Sequence, residues 1–221
     1  MKKNQAKLRT VLLCVFSILL LNCSKDNVET DSQTFNYSKF TDARDGRAYQ
    51  TIKIGNQEWM AENLAFETDS GSWIYYNDKN DGIQYGRLYT WDAALKAVPA
   101  GFHLPTDIEW KQLEISLGMS QTEANGISFR GTNEGTLLKA KSNWADDGNG
   151  TNNNGFSALP GGFRSNAGSY LGIYWQGYWW SATENDKSNS WIRIIANNNS
   201  KVGRNISFKG DAYSVRCVKN D

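Results

Sequence analysis

Residues 48–54 (AYQTIKI) have the two-residue period of a β-strand. One face would carry Ala48, Gln50, Ile52 and Ile54, and the other Tyr49, Thr51 and Lys53. The pair Gly55-Asn56 follows, and residues 57–62 (QEWMAE) form a second short segment with apolar positions. Glycine and asparagine tolerate the positive φ angles that tight hairpin turns require. The pattern therefore predicts a β-hairpin with its turn at Gly55-Asn56.

A helical period replaces this alternation in two later segments. Residues 91–98 carry apolar side chains three or four positions apart, which predicts one short helix. Farther along, Thr106 and Glu109 have the spacing of an N-terminal capping box, and Gly118 stands where a C-terminal cap is expected. We therefore predict a second short helix between Thr106 and Gly118.

Beyond Gly118 the chain consists of short apolar segments between turns rich in glycine and asparagine. These segments are TLLKAKSNW, GFSALPGGF, YWWSAT, WIRII, VGRNISF and SVRCVK. Their spacing predicts an irregular antiparallel sheet. Because successive side chains of a strand point to opposite faces, Trp179 and Trp180 should lie on opposite faces, with at least one of them in the core.

The N-terminus has the pattern of an export signal. Residues 1–10 are basic and contain no acid, and the apolar run of residues 11–21 is too short to cross a bilayer comfortably. The run ends in LLLNCS, which resembles the lipobox of bacterial lipoproteins, with Asn22 where a small residue is usual. We predict that residues 1–22 are a signal peptide. Cys23 is then expected to carry acyl chains such as palmitate, rather than to be a core thiol or half of a disulfide.

The residues after Cys23 predict how the protein is displayed. Residues 23–37 are mostly polar and lack an apolar period, so we expect a flexible tether. Residues 38–221 are long enough for one domain, and no linker or repeat divides them. Charged residues just after the cysteine resemble signals that send lipoproteins of the Bacteroidota to the outer face of the outer membrane. The predicted location is therefore the outer membrane, lipid-anchored and facing the cell exterior.

Composition narrows the class of protein. Residues 1–22 hold four of the 24 basic side chains and none of the 23 acidic ones, which leaves a formal net charge of about −3. A nearly neutral chain gives no electrostatic reason to expect nucleic acid as a partner. Nine Trp, ten Tyr and nine Phe among 20 Gly and only three Pro are typical of a loop-rich β or α+β domain with an aromatic core. Once Cys23 is acylated, Cys217 is the one thiol left in the domain, so no internal disulfide is expected.

Several strings resemble the Fibrobacter succinogenes major paralogous domain, known as FISUMP. They are IGNQEWMAENL (54–64), GRLYTWDAA (86–94), GFHLPTDIEW (101–110), GFSALPGGFR (155–164), YWWSATEN (178–185) and SVRCVK (214–219). The resemblance extends from about Phe40 to Lys219. Members of this family are mainly lipoproteins and secreted proteins of the Bacteroidota and their relatives, so the resemblance implies a protein of this kind. It implies no enzymatic activity.

The same resemblance implies a fold and a missing disulfide. The family is distantly similar to the C-type-lectin-like superfamily, which implies an α+β fold with two short helices and a twisted, loop-rich antiparallel sheet. Members often have a cysteine where this chain has Val98, and that cysteine is taken to pair with the one in the terminal SVRC string. We therefore expect Val98 and Cys217 to be neighbours.

The stretch of residues 164–185 is the main candidate for ligand binding. Aromatic faces stack on sugar rings, and nearby charged and amide groups bind hydroxyls, so this composition favours a glycan. The sugar-binding signatures Glu-Pro-Asn and Gln-Pro-Asp of calcium-dependent lectins do not occur in it. The residues we select are Trp175, Tyr178, Arg164, Glu184 and Asn185.

A second candidate site is the loop of residues 144–155 (WADDGNGTNNNG), where Asp146, Asp147 and Asn149 could bind Ca²⁺ through side-chain oxygens. The spacing is not that of an EF-hand, and a solvated loop explains the composition equally well. Residues 77–82 (NDKNDG) are a weaker candidate of the same kind.

Enzymatic activity is not expected. His103 is the one histidine of the chain, which excludes sites made of several imidazoles and favours a hydrogen-bonded structural role, with pairing to Asp107 as the alternative. A glycoside hydrolase would need two carboxylates across a cleft, and nothing in the sequence singles out a pair among Asp107, Glu109 and Glu184. The expected function is non-catalytic binding of a surface glycan. The alternative is a structural or adhesive component that binds a protein partner and has no small-molecule site.

Overall fold

The computed structural model describes residues 34–220. The predicted signal peptide, Cys23 and most of the predicted tether lie outside these residues. Phe35 and Tyr37, which the sequence analysis includes in the tether, pack against the core, and the Tyr37 hydroxyl donates to the carbonyl oxygen of Gly155. Within this range no helix has the length and apolar character needed to span a bilayer.

The described residues form thirteen strands and five α-helices, together with one 3₁₀ turn at Tyr75–Asn77. The strands are β1 (Ser38–Thr41), β2 (Ala48–Ile54), β3 (Gln57–Met60), β4 (Ser72–Trp73), β5 (Leu88–Tyr89), β6 (Phe102–His103), β7 (Ser128–Arg130), β8 (Gly161–Arg164), β9 (Tyr170–Ile173), β10 (Gln176–Glu184), β11 (Asn189–Ala196), β12 (Val202–Phe208) and β13 (Val218–Lys219). The helices are α1 (Lys79–Tyr85), α2 (Trp91–Ala97), α3 (Asp107–Ser116), α4 (Gln121–Ala124) and α5 (Glu134–Leu138). The fold is therefore α+β, as expected.

The first sheet has the strand order β1-β2-β3-β13-β6. The predicted hairpin is confirmed, because β2 and β3 pair antiparallel and Ile54 lies opposite Gln57 across the turn. Gly55 has a φ of +59°, the left-handed conformation that glycine adopts without steric cost. Both faces of β2 are buried, with Tyr49 and Ile52 in two different core clusters, so the alternation does not separate a buried face from an exposed one.

The second sheet has the order β7-β12-β11-β10-β8-β9, and its central strand β10 divides the core. Trp179 and Trp180 are both fully buried, one in each of the two large core clusters. The prediction that they point to opposite faces is confirmed, and both of them are core residues. The pair β8–β10 is parallel, so the sheet is mixed rather than wholly antiparallel.

The two predicted helices are α2 and α3. Both halves of the predicted capping box are present in α3, since Thr106 and Glu109 each bind the other's backbone nitrogen. Gly118, just past the helix end, has a φ of +112°. The prediction of only two helices is wrong, because α1, α4 and α5 are also present in the described range. The sequence of α1 (KNDGIQY) is mostly polar, and α4 and α5 contain only four and five residues, so none of the three shows an apolar period.

A buried ionic cluster joins α3 to the second sheet. Arg193, fully buried on β11, donates to Glu114 at 2.6 Å and to Asp107 at 2.9 Å. Arg204 on β12 makes two further hydrogen bonds to Asp107, and Arg130 on β7 pairs with Glu114 at 2.5 Å. Two buried carboxylates thus neutralise most of the charge of three buried guanidinium groups, and the register of α3 on the sheet is fixed.

Cys217 is a free, fully buried thiol, and burial raises its pKa. It belongs to the core cluster against which Val98 packs. Arg44 donates to the carbonyl oxygens of Ala97 and Val98 and also acts electrostatically on the Cys217 thiol, so these groups share one region of the core. The direct contact between Val98 and Cys217 stays a prediction.

Candidate functional site

Exposed aromatic side chains gather around β9 and the turn that follows it. Tyr76, Trp175 and Tyr174 are 69%, 48% and 46% exposed. The Tyr76 ring contacts that of Tyr170 at a centroid distance of 5.0 Å, and the Tyr174 ring meets the buried Tyr85 ring at 6.0 Å. We call Tyr76, Tyr170, Tyr174 and Trp175 the aromatic ridge.

The buried side of the ridge is formed by Tyr75. Its ring contacts those of Tyr76 and Tyr170 at 5.0 and 5.1 Å. Burial raises the pKa of Tyr75, a backbone hydrogen bond with Ile173 opposes this, and the nearby Tyr76 and Tyr174 add to the rise. One buried phenol therefore contacts two ridge residues, Tyr76 and Tyr170, and is also affected electrostatically by Tyr174.

The turn between β9 and β10 holds its two aromatic residues in a fixed and strained conformation. Tyr174 has a φ of +68°, which costs a non-glycine residue about 1 kcal/mol or more. Its backbone nitrogen donates to the carbonyl oxygen of Pro160 at 2.9 Å, and that of Trp175 donates to Gly172 at 3.1 Å. Backbone strain at a rigid, exposed position is a feature that proteins retain at functional sites.

The asparagine-rich loop predicted as a calcium site lies directly beside this turn. The backbone nitrogen of Ala145 donates to the carbonyl oxygen of Tyr174 at 2.8 Å. Asn197 links the two segments a second time, since its backbone nitrogen donates to Trp175 and its side-chain amide donates to Ala145. The structure thus brings together Trp175 and the loop of Asp146 and Asp147, which the sequence treats as separate candidates.

The loop offers two exposed carboxylates next to the ridge. Asp146 and Asp147 are both exposed and both left-handed, with φ angles of +49° and +55°. Gly148 packs under them against Asn197, where an added Cβ would lie 2.5 Å from the Asn197 Cβ. Asn149, the third predicted ligand, uses its side-chain oxygen to accept from the backbone nitrogen of Trp144 at 3.0 Å.

These contacts bear on the calcium prediction. Calcium sites in proteins usually supply six to eight oxygen ligands. Among residues 34–220, no group of three or more His, Cys, Asp or Glu side chains is arranged to hold a metal ion. The loop brings two carboxylates at consecutive positions, and the Asn149 side-chain oxygen already accepts a hydrogen bond, so the calcium site at this loop stays a prediction. The weaker candidate at residues 77–82 is the start of α1, where Asp78 caps the helix by accepting from Asn80.

Arg164 lies at the other end of the ridge. Its guanidinium carbon is 4.1 Å from the centroid of the Trp73 ring and 5.8 Å from that of Tyr170. Such contacts hold a cation over an aromatic face. Arg164 therefore lies beside Tyr170, at the end of β9 away from Trp175.

Tyr178 has a different environment. Its ring is half-buried, stacks on Tyr213 at 5.3 Å and meets Phe163 at 5.0 Å, while its hydroxyl donates to Gln176. Burial raises its pKa. Tyr178 thus packs at the edge of the core, and Tyr213 covers one face of its ring.

Glu184 and Asn185 lie far from Trp175. Trp175 directly precedes β10, and Glu184 is its last residue. The nine residues of this strand span about 30 Å at the usual rise. Glu184 pairs with Lys209 at 3.2 Å, and Asn185 donates to Asp186 at 3.0 Å. The five residues predicted for ligand binding therefore do not form one site, and only Trp175 and Arg164 lie at the ridge.

His103 lines a separate polar cleft of about 470 Å³. Its Nε2 is 2.6 Å from Glu109, and its Nδ1 is 2.7 Å from the side-chain oxygen of Asn220. Burial raises the pKa of Glu109, but hydrogen bonds from Thr106 and His103 outweigh this and lower it. The carboxylate beside His103 is Glu109 rather than Asp107, and these contacts agree with the hydrogen-bonded role predicted for His103.

Tyr76 and Asn197 are not among the residues that the sequence predicts for the site. Tyr76 has a left-handed φ of +45° in the 3₁₀ turn, and Asn197 lies in the turn after β11, both far in sequence from Trp175. No local period marks either residue. Their roles depend on tertiary contacts that only the folded chain reveals.

The structure thus defines an α+β protein with a rigid, exposed aromatic surface. Comparison with known families agrees with the motifs in the sequence, because the model of the Fibrobacter succinogenes major domain family matches residues 52–219. The chain belongs to this family. No curated protein and no solved structure shows significant similarity to it.

Proposed function

We propose that this protein is a lipid-anchored surface protein whose single domain binds a glycan without catalysis, at the aromatic ridge. The observation that carries the proposal is the pair Tyr174-Trp175, half-exposed on a strained turn that the loop of Asp146 and Asp147 supports. Half-exposed aromatic rings on a fixed backbone offer a stacking surface at little further cost in conformational entropy.

The chemistry of the ridge suits a sugar chain. The apolar face of a pyranose ring stacks on an aromatic ring, while its hydroxyls need hydrogen-bond partners. Asp146 and Asp147 supply acceptors on one side of Trp175, and Arg164 supplies donors near Tyr170. An extended ridge favours several consecutive sugar units over a single monosaccharide.

The proposed finer fold is C-type-lectin-like. It is supported by α2 and α3, by two sheets rich in loops, and by a core divided by the central strand β10. An experimental structure of the domain should superpose on C-type-lectin-like domains over both sheets and both helices. A different order of strands in the second sheet would contradict the proposal.

Affinity electrophoresis tests the glycan directly. The domain is run through gels that contain members of a panel of host and plant polysaccharides, and at least one of these should retard it. Trp175→Ala should abolish the retardation. Phe208→Ala is the matched control, since Phe208 is an aromatic residue of similar exposure, 46%, at another part of the surface.

A protein partner at the same ridge is the second candidate. Tyrosine and tryptophan are also the residues that dominate protein–protein binding energy. Three ridge residues, Tyr76, Tyr174 and Trp175, are 46–69% exposed, which would suit that role as well. The two candidates differ in one result. If no polysaccharide retards the domain, while Trp175→Ala reduces attachment of cells that display it to protein-coated surfaces, the adhesive function is favoured.

The anchor is a separate part of the proposal. If Cys23 is acylated, metabolic labelling with palmitate should mark the protein, and the protein should fractionate with the outer membrane. Protease added to intact cells should cleave it. Cys23→Ala should remove the label and release the protein into the soluble fraction. Cys14→Ala is the control, because Cys14 lies in the predicted signal peptide and should leave both results unchanged.

A further inference from the structure

Arg164 differs from the other arginines of residues 34–220, because it has both surface exposure and free donors. Six of these eight side chains form ion pairs with Asp or Glu, and they are Arg44, Arg47, Arg87, Arg130, Arg193 and Arg204. Arg216 is fully buried, and backbone carbonyls and the Asn63 side chain accept its hydrogen bonds. Arg164 is partly exposed and forms no ion pair within the described range. The one side-chain hydrogen bond that it makes there, to the carbonyl oxygen of Ser165, is 3.4 Å long.

Two aromatic rings hold the Arg164 guanidinium in place. Its central carbon is 4.1 Å from the centroid of Trp73 and 5.8 Å from that of Tyr170, which is also the cross-strand partner of Arg164. Gly168 lies close by, since an added Cβ would be 3.3 Å from the Arg164 Nη2, and its lack of a side chain leaves this nitrogen uncovered. A guanidinium held in this way loses little further conformational entropy on binding, and its planar fork of N–H groups matches a carboxylate.

The carboxylate of Asp211 is engaged elsewhere. Asp211 precedes Ala212, whose backbone pairs with that of Arg164. Its carboxylate, however, accepts from the backbone nitrogen of Asn166 at 2.9 Å and from the Ser207 hydroxyl at 3.2 Å, and it forms no ion pair with Arg164.

Asp81 is the other acidic residue of this region, since it acts electrostatically on the pKa of Tyr75, the buried neighbour of Tyr170. It forms no ion pair with Arg164 either. The charge of Arg164 therefore has no counter-charge at ion-pair distance among the described residues.

The aromatic ridge carries opposite charges at its two ends. Arg164 lies beside Tyr170, the first residue of β9, whereas the loop of Asp146 and Asp147 lies beside the turn of Trp175 that follows this strand. The two ends of β9 are about 10 Å apart at the usual rise of a strand. One acidic group over Tyr170 would therefore meet Arg164 and stay away from the two aspartates. A uniformly anionic polymer along the ridge would be repelled by them.

We propose that the Arg164 end of the aromatic ridge binds one acidic sugar unit, with the sugar carboxylate paired to the guanidinium and neutral units continuing toward Trp175. The inference rests on the proposed glycan binding and adds the charge and the direction of the glycan. Tyr76 is 69% exposed, and its ring contacts that of Tyr170 at 5.0 Å, so a stacking surface borders the cation. A bidentate pair between guanidinium and carboxylate has a fixed geometry, so it places the acidic unit at this end.

Titration calorimetry of the purified full chain in detergent tests the acidic unit with two probes. One is sialyllactose, and the other is a xylo-oligosaccharide with a single glucuronic acid branch, so that a host and a plant source are distinguished. Each probe is compared with its methyl ester, which removes the charge and keeps the sugar. At least one acidic probe should bind, and its ester should bind about 10- to 100-fold more weakly, the effect expected for the loss of a charged hydrogen-bonded pair.

Substitutions assign the preference for acid to Arg164. Arg164→Gln should make the affinities for acid and ester equal, and Arg164→Lys, which keeps the charge without the planar fork, should restore part of the difference. Arg47→Gln is the matched control, since the Arg47 side chain is 32% exposed and lies 4.0 Å from Glu62, and it should leave the preference unchanged. The ratio of two affinities is unaffected by a loss of folded protein.

The results separate this inference from glycan binding itself. Equal affinity of the natural chain for acid and ester would overturn the acidic unit and leave glycan binding in place. A preference for acid that Arg164→Gln retains would overturn the role of Arg164. If neither acidic probe binds while a polysaccharide retards the protein in affinity electrophoresis, the inference alone is wrong. If no glycan binds in either experiment, the inference and the proposed function both fail.

Discussion

The backbone nitrogen of Ala145 donates to the carbonyl oxygen of Tyr174 at 2.8 Å, which joins the asparagine-rich loop to the turn that carries Trp175. Two segments about thirty residues apart therefore form one surface. The loop contributes carboxylates and the turn contributes aromatic rings, and Asn197 holds both. The proposed glycan site depends on this connection rather than on any single strand.

The buried ionic cluster should be essential for stability. Glu114→Gln removes one carboxylate from Arg130 and Arg193 and leaves buried guanidinium charge uncompensated, so we expect a loss of about 3–5 kcal/mol. Glu184→Gln breaks the more exposed pair with Lys209 and should cost about 0–1 kcal/mol. Urea unfolding of the two variants measures the difference. Equal losses would show that burial does not determine the strength of these pairs.

Acid should destabilise the domain through Asp107. Burial raises the pKa of Asp107, but the hydrogen bond from Arg204 and the charge of Arg193 outweigh this, and the pKa lies below its ordinary value of 3.8. The unfolded chain therefore binds the proton more readily than the folded one. The stability that the ionised carboxylate contributes is present above about pH 4 and is lost as the pH falls toward the folded pKa.

Unfolding free energies measured from about pH 6 to about pH 2 test this dependence. Asp107→Asn should lower stability at neutral pH and make the acid loss less steep. Asp69→Asn, at an exposed position, should leave the slope as it is in the natural chain. An unchanged slope in Asp107→Asn would exclude Asp107 as the main acid-sensitive group.

The neighbour relation of Val98 and Cys217 predicts a new disulfide. Both belong to one region of the core, and Val98→Cys should oxidise with Cys217 when the protein is exported. In the chain-entropy model, a disulfide that closes a loop of this length stabilises the fold by about 4–5 kcal/mol. Lys96→Cys is the control, since Lys96 is exposed on α2 while Cys217 is fully buried. If thiol titration finds both groups of Val98→Cys free, the two residues are not neighbours.

The elements that the sequence predicts well are those with local causes. The hairpin at Gly55 follows from a strand period and a residue that adopts positive φ. The start of α3 follows from Thr106 and Glu109, which are three positions apart and bind each other's backbone. Both features need only neighbouring residues, so the pattern of the sequence is sufficient.

The elements that the sequence predicts poorly depend on distant contacts. Arg216 is fully buried although no acidic residue stands beside it in the sequence. The carbonyl oxygens of Met60 and Ser157 and the side-chain oxygen of Asn63 accept its hydrogen bonds. Tyr178 is close to Trp175 in sequence, yet Phe163 and Tyr213 cover it. Proximity along the chain does not reveal which side of a strand the tertiary structure covers.

Thermal unfolding of the domain with a polysaccharide panel tests the central claim most directly. A glycan at about 100 times its Kd should add about 2.7 kcal/mol and raise the Tm by about 5–10 °C, and Trp175→Ala should abolish the rise while Phe208→Ala retains it. Repeating the measurement with EDTA shows whether a metal ion at Asp147 takes part. A rise that Trp175→Ala leaves intact, or no rise with any polysaccharide, would contradict glycan binding at the ridge.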